Sequence, residues 1–242
     1  YEIPLRLVGS EMCIRDSFAD AELAKKYATQ AVNHSIGVMT AKDDAAQMSQ
    51  GAGMTFRNNI EWLAGNYNEA RMGSSIFSYL MGYEDPRLSV YFLPMDGNAS
   101  YGVEAFDGKT YQAVPAGHAN AQNDIYKSCS KPNIQSGTPT YWLRASEVYF
   151  LRAEAALVWE GFGSADSWYK QGIDMSFQEN GVTDPVDDYM NSNLSPRAYV
   201  LSHYQYGQTL SAPCETTAKF EGTTEQKLEK IMIQKWIALF PN

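Results

Sequence analysis

YWLRASEVYFLRAEAAL, Tyr141 to Leu157, is the stretch whose reading decides the fold. It holds no Gly or Pro, so nothing in it interrupts a helix. Leu143, Val148, Leu151, Ala155 and Val158 form an apolar stripe, with Arg144, Glu147, Arg152 and Glu154 as the polar positions. The spacing predicts one long helix from Tyr141 to Glu160. Small residues at Ala145, Ala153, Ala155 and Ala156 would let a second helix approach closely. That helix follows the turn Gly161-Phe162-Gly163 and is expected over Ala165 to Gln178, with Trp168, Tyr169, Gly172, Ile173 and Phe177 facing the first. Asn180-Gly181 ends it. The two make an αα-hairpin of the tetratricopeptide kind.

Outward from the hairpin, helices alternate with long irregular segments. Asp20 to Asn33 reads as a helix with Asp20 as its N-cap and Leu23, Tyr27, Ala28 and Ala31 on one face. A short helix is expected around Ile60 to Leu63. Another is capped by Ser74 or Ser75, runs through Leu80 and ends at Gly82. Asp85-Pro86-Arg87 predicts a turn with a local ion pair, and Val90 to Leu93 an extended run. Pro94 to Thr140 and Asp184 to Pro213 lack periodicity and read as loops, which commonly carry function. Asp184, Asp187 and Asp188 could hold a calcium ion, but without EF-hand spacing they fit a turn and a helix N-cap better. Thr223 and Gln226 form a capping box for a last helix, whose buried side is expected to include Leu228, Ile231, Met232, Lys235, Trp236 and Leu239.

Tyr1 to Ser17 stands apart. Leu7 to Asp16 is what CTC GTG GGC TCG GAG ATG TGT ATA AGA GAC encodes, and the residues before it fit the rest of a sequencing adapter. Residues 1-17 are therefore expected to be a non-native, adapter-derived tail, and residues 18-242 a partial domain incomplete at both ends. On that reading Cys13 is not a native thiol, leaving Cys129 and Cys214, either paired or free.

Composition excludes some functions. A net charge of −9 lacks the basic face that a phosphate backbone demands, so nucleic acid is not an expected partner. No apolar run approaches the roughly 20 residues of a membrane span. His34, His118 and His203 share no ligand spacing, so no metal is expected, and no cofactor motif occurs: Gly51-Ala52-Gly53 lacks the Lys-Ser/Thr of a phosphate loop. There is no GxSxG serine. Glu104 and Asp107 could pair as glycosidase carboxylates, but two acids in one loop are a common coincidence. No catalytic residues are assigned, and the protein is expected not to be an enzyme.

The remaining supply is aromatic and amide groups in loops, with 16 Tyr in the chain to draw on. Sugars present apolar C–H faces, which aromatic rings meet, and hydroxyl rims, which amides and guanidiniums meet. Trp62, Asn66, Tyr67, Asn68 and Arg71 fall in one short segment; Tyr101, Tyr111, Asn123 and Tyr126 lie in the long loop. These nine are the candidate glycan-binding residues. Any one such ring more often packs in a core; as a group in non-periodic sequence they suggest a platform.

Several segments also resemble one family in the right order. The LRASEVYFLRAEAAL run before a Gly turn, SSIFSYLMGYEDPRLSVYF and EQKLEKIMIQKWIALFPN are similar to segments of the SusD/RagB family. The resemblance covers most of Phe18 to Asn242. It implies an all-α fold with tetratricopeptide-like helix hairpins and long irregular loops. It implies a surface lipoprotein of the Bacteroidetes outer membrane, held by a lipid anchor that lies outside this fragment. There it would bind an oligosaccharide without catalysis and deliver it to a SusC-like TonB-dependent outer-membrane barrel. Two alternatives stay open: a peptide-binding uptake lipoprotein of the same architecture, and a tetratricopeptide-type scaffold for protein interactions. The scaffold would need helix pairs repeated about every 34 residues, and one clear pair is visible. The family fixes no ligand residues by motif, so the nine candidates rest on chemistry alone.

Overall fold

The computed structural model describes residues 20–53, 55–96, 103–115, 117, 126–201 and 207–241, with the backbone alone for Val103 and Glu104. The expected adapter tail lies outside the described residues. The fold is helix-rich. Among the described residues there are eight helices and three two-stranded sheets. They divide between two compact units.

The first unit comprises the described residues up to Gln47, Tyr141–Gly181 and Phe220–Leu239. It holds α1 (Ala21–Val32), strands β1 (Ala45–Met48) and β4 (Thr140–Arg144), and the helices α5 (Ala145–Val158), α6 (Ala165–Glu179) and α8 (Thr224–Ala238). Asp20 caps α1 as expected, accepting the Leu23 N–H at 3.0 Å. The hairpin α5–α6 is present, closed by Asn180 and by Gly181 at φ +68°.

One expectation for the decisive stretch is overturned. Tyr141 to Arg144 is strand β4, paired with β1, and the helix begins only at Ala145. The buried face of α5 is Ala145, Ser146, Phe150, Ala153 and Ala155, whereas Val158 is exposed. The expected stripe thus ran out of phase, because it took Leu143 as helical. What starts the helix is a residue from its partner. The Glu179 carboxylate, at the end of α6, accepts the Ser146 N–H at 2.9 Å and the Ser146 hydroxyl at 2.6 Å. It also pairs with Arg144 at 3.2 Å. An acid is favoured there because the first N–H groups of a helix lack internal acceptors. The two helices approach closely because Gly172 faces Phe150: a Cβ there would stand 2.8 Å from the ring. Tyr169 continues the seam, stacked on Phe220 at 4.6 Å.

Helix α8 carries the predicted capping box, Thr223 and Gln226 each accepting the other's backbone N–H. Lys235 of α8 pairs with Glu154 of α5 at 3.3 Å. Trp236 is 45% exposed, so the expectation of a buried aromatic fails there; Ile233 and Ile237 take the inner positions instead.

The second unit comprises the described residues of Met48–Thr140 and Val182–Lys219, with Phe240 and Pro241. It holds α2 (Asn59–Gly65), α3 (Ser74–Gly82), α4 (Leu88–Tyr91), the hairpin β2 (Val103–Phe106) and β3 (Lys109–Gln112), α7 (Val186–Asn191), and the pair β5 (Tyr199–Leu201) and β6 (Gln208–Leu210). The run expected as extended, Val90 to Leu93, is helical as far as Tyr91. The Asp85-Pro86 turn starts that helix, with the Arg87 carbonyl accepting the Tyr91 N–H at 2.9 Å. Ser74 lies inside α3, and Gly73 occupies the cap. Gly82 is the last helical residue: the Ser195–Arg197 backbone would stand within 2.7 Å of any Cβ. The loop Pro94 to Thr140 contains a hairpin, turned by Asp107 and Gly108 at positive φ.

The core of this unit contains a buried ion pair. Arg87 and Asp85 are both fully buried and meet at 2.6 Å. Tyr189 of α7 donates to Asp85 at 2.8 Å. Burial opposes the charge of Arg87, but Asp85 and the nearby Tyr189 and Tyr91 hydroxyls outweigh it and raise the guanidinium pKa. The Asp85-Pro86-Arg87 turn with a local ion pair is as predicted. Cys129 and Cys214 are free thiols. Burial pushes Cys129 up to about 12, which makes it inert at neutral pH.

Candidate functional site

The candidate residues of the short segment come together at the end of α2. Asn58 caps this helix through the Ile60 N–H at 3.0 Å, and the chain leaves it at Asn66. The helix presents Trp62 outward, and the following turn brings Tyr67 back against it. The two ring centres lie 4.5 Å apart with planes at 89°. Trp62 is 36% exposed and Tyr67 54%, so both offer ring surface to solvent. Two perpendicular rings form a corner, which can meet a sugar ring on one face and along one edge. Arg57, paired with Glu61 at 2.9 Å, lies 5.8 Å from the Trp62 ring centre. Sequence reasoning did not single out Arg57; its i, i+4 spacing to Glu61 was the available signal.

Arg71 holds the loop in shape. Its Nε donates to the Tyr126 carbonyl at 3.1 Å and Nη1 to the carbonyls of Ala70 at 2.8 Å and Ala64 at 3.5 Å. Nη2 reaches the Asn68 side-chain oxygen and the Lys127 carbonyl. These acceptors engage all five guanidinium donors, so Arg71 braces the segment and leaves ligand contact to its neighbours. Burial lowers its pKa, against the pull of Cys129 and Asp96. Asn68 sits at φ +61°, the left-handed conformation that Asn tolerates better than most residues. Asn66 and Asn68 are exposed beside the rings.

The long-loop candidates are placed differently. Tyr126 is partly exposed, and its backbone is tied to Arg71. Tyr111 is 0% exposed, so its ring has no free face; it stands on β3 opposite Glu104. Tyr101 and Asn123 lie outside the described residues, as do His118 and His203 and the side chain of Glu104. Among the described residues no group of His, Cys, Asp or Glu is arranged to hold a metal ion. No helix among them is long and apolar enough to cross a membrane. An open depression of 570 Å³ at the end of α1 is lined by Thr29, Gln30, Asn33, His34 and Ser35, and includes none of the candidate residues. Trp142 on β4, 64% exposed, is another aromatic that sequence reasoning did not select.

Comparison with known proteins gives a consistent picture. The family described as "SusD-like: Susd and RagB outer membrane lipoprotein" matches residues 5–242. A SusD homologue from Bacteroides vulgatus ATCC 8482 is similar at 34% identity and a TM-score of 0.85, over 98% of this chain and 47% of that one. A SusD-like protein from Bacteroides thetaiotaomicron VPI-5482 is similar at 30% identity and a TM-score of 0.86, over 98% and 48%. A chitin-binding SusD homologue from Flavobacterium johnsoniae is similar at 29% identity and a TM-score of 0.83, over 98% and 47%. The chain spans about half the length of these solved relatives. No curated protein sequence matches it.

Proposed function

Because the chain belongs to the SusD-like family of outer-membrane lipoproteins, we propose that it serves non-catalytic capture of an oligosaccharide at the cell surface. The captured sugar passes to a SusC-like TonB-dependent barrel in the outer membrane. The observation that carries this reading is the exposed perpendicular pair of Trp62 on α2 and Tyr67 on the loop that follows, whose backbone Arg71 braces. A sugar binder needs that combination. Ring stacking contributes only while the rings hold their positions, and a braced loop loses little entropy when ligand arrives. Asn66 and Asn68 supply amides for hydroxyl groups at the edge of the corner. Tyr126, partly exposed and tied to Arg71 through its carbonyl, is a further ring available to the same ligand. Tyr111 supports β3 from within.

The test is calorimetric titration of the chain with a panel of neutral oligosaccharides. Chitin oligosaccharides come first, in view of the chitin-binding relative. At least one glycan is expected to bind and to be recovered uncleaved. Trp62→Ala and Tyr67→Ala should each weaken it by about tenfold, the equivalent of about 1.4 kcal/mol. A panel without a binder, or variants that bind as tightly as the parent, would reject the reading.

A further inference from the structure

The hairpin holds a guanidinium that the Trp62 corner does not use. Arg152 of α5 lies with its central carbon 3.5 Å from the ring centre of Trp168 on α6. That is van der Waals contact, so the indole covers one face of the guanidinium and fixes its plane. Trp168 is itself locked by the turn. Its Nε1–H donates to the Phe162 carbonyl at 2.7 Å. A Cβ on Gly163 would stand 3.0 Å from that nitrogen, and Gly163 has φ +89°, which glycine alone adopts at ease. Tyr149 completes the group, its ring centre 6.1 Å from that of Trp168 and its hydroxyl donating to the Thr40 carbonyl at 3.2 Å.

What the group lacks is an acceptor. Arg57, Arg87 and Arg144 each pair with a carboxylate. Arg152 has none among the described residues, and its buried Nε makes no hydrogen bond. Arg152 and Tyr149 are nevertheless partly exposed, so a ligand can reach the guanidinium edge. A stacked, unpaired guanidinium matches a planar two-oxygen acceptor. Tyr149 beside it offers a ring to the body that carries the acceptor.

We propose that Arg152, held flat on Trp168 and flanked by Tyr149, is a subsite for the carboxylate of an acidic sugar, a uronic acid unit of a glycan. The sugar source rests on the glycan-binding reading; the carboxylate chemistry rests on the Arg152 group alone. With a net charge of −9 the chain does not gather anions non-specifically, so uronate binding reports this local pairing.

The test titrates the full chain with galacturonate oligosaccharides, their neutral galactose counterparts and a glutamate-rich peptide. The uronate is expected to bind about tenfold tighter than its neutral counterpart, and Arg152→Gln to abolish that preference. Arg152→Lys keeps the charge but loses the flat fork; with the parent's thermal midpoint retained, it should keep only part of the preference. Neutral glycan binding with no uronate preference would overturn this inference and leave the glycan reading standing. A preference that persists in Arg152→Gln would overturn it equally. Arg152-dependent binding of the peptide alone would overturn the sugar assignment. No binding of any glycan would reject the glycan reading as well.

Discussion

Arg144 in the hairpin and Arg71 in the aromatic loop are both structural guanidiniums, but they are satisfied in different ways. Arg144 has an ionic partner: it meets the buried Glu179 carboxylate at 3.2 Å and the Glu179 carbonyl at 3.0 Å. Arg71 has none among the described residues; carbonyls and one amide take its donors. In the hairpin, removing one partner strands a buried charge and uncaps a helix. In the loop, the same kind of deletion frees a short surface segment. The hairpin therefore ties stability to ionisation, whereas the loop ties the positions of two rings to neutral backbone acceptors.

The largest effect should come from Glu179→Ala. It leaves Arg144 buried without its counter-charge and α5 without its acceptor, and should cost about 3–5 kcal/mol in urea unfolding. A cost below about 1 kcal/mol would mean that Arg144 finds water or its carbonyl partner sufficient, and the contrast with Arg71 would collapse. The pH dependence sharpens the same point. Burial raises the Glu179 pKa, with Arg144 and Ser146 pulling against it. A carboxyl whose folded pKa exceeds its unfolded value binds its proton more tightly when folded. The stability that comes from this tighter proton binding is whole below the unfolded value of about 4.3 and is lost as pH rises through the folded one, where the ion pair with Arg144 and the bonds to Ser146 remain. The stability of the parent relative to Glu179→Gln should therefore fall with rising pH across the carboxylate range. A difference that grows with pH would contradict the raised value.

Next is Gly172→Ala. The added methyl meets the Phe150 ring at 2.8 Å in the seam between α5 and α6. The helices must part or Phe150 must leave its rotamer, at about 1–3 kcal/mol. Alanine is the better helix former by about 1 kcal/mol, so a stabilised variant would show that the seam is looser than the contact implies.

These two positions also mark how far the sequence could be read. Local signals were legible: the Thr223–Gln226 capping box, the Asp20 cap, the Asp85-Pro86-Arg87 turn and the helix pair around Gly161–Gly163 all depend on residues a few positions apart. The start of α5 was not, because it depends on Glu179 and on pairing with β1, neither of which lies within a local window. Leu143 fits a helical stripe and a strand equally well, and only the tertiary pairing decides. The site divides in the same way. Composition identified the Trp62–Arg71 segment as a cluster, but nothing in the sequence distinguishes the outward ring of Tyr67 from the enclosed ring of Tyr111. Nor could it reveal that acceptors within its own unit engage every donor of Arg71.

Arg71→Ala tests the loop half of the contrast. Five donor contacts vanish, yet of the residues whose carbonyls they served only Ala64 is buried; Ala70, Tyr126 and Lys127 are at least partly exposed, where water can replace the guanidinium. Glycan affinity should fall by about tenfold as Trp62 and Tyr67 lose their fixed relation, whereas global unfolding should shift by no more than about 1 kcal/mol. Amide exchange should quicken over residues 64–71 and stay unchanged in the hairpin. A global loss as large as that of Glu179→Ala would make the two guanidiniums equivalent.

The smallest effect belongs to Arg57→Ala. Arg57 pairs with Glu61 one helical turn on and sits near the Trp62 ring, but 46% of its side chain is exposed. Exposed i, i+4 pairs contribute about 0.3–0.5 kcal/mol, so stability should barely change. Affinity is the sharper readout. If Trp62 is held by its contact with Tyr67, removing Arg57 should leave glycan affinity within about threefold, or ~0.7 kcal/mol. A tenfold loss would instead make Arg57 part of the platform, with its guanidinium either fixing the indole or meeting the ligand. Arg57→Lys separates those cases: a lysine keeps the charge over the ring but not the planar fork. Retained affinity in that variant would point to ring positioning, and lost affinity to direct contact with sugar hydroxyls.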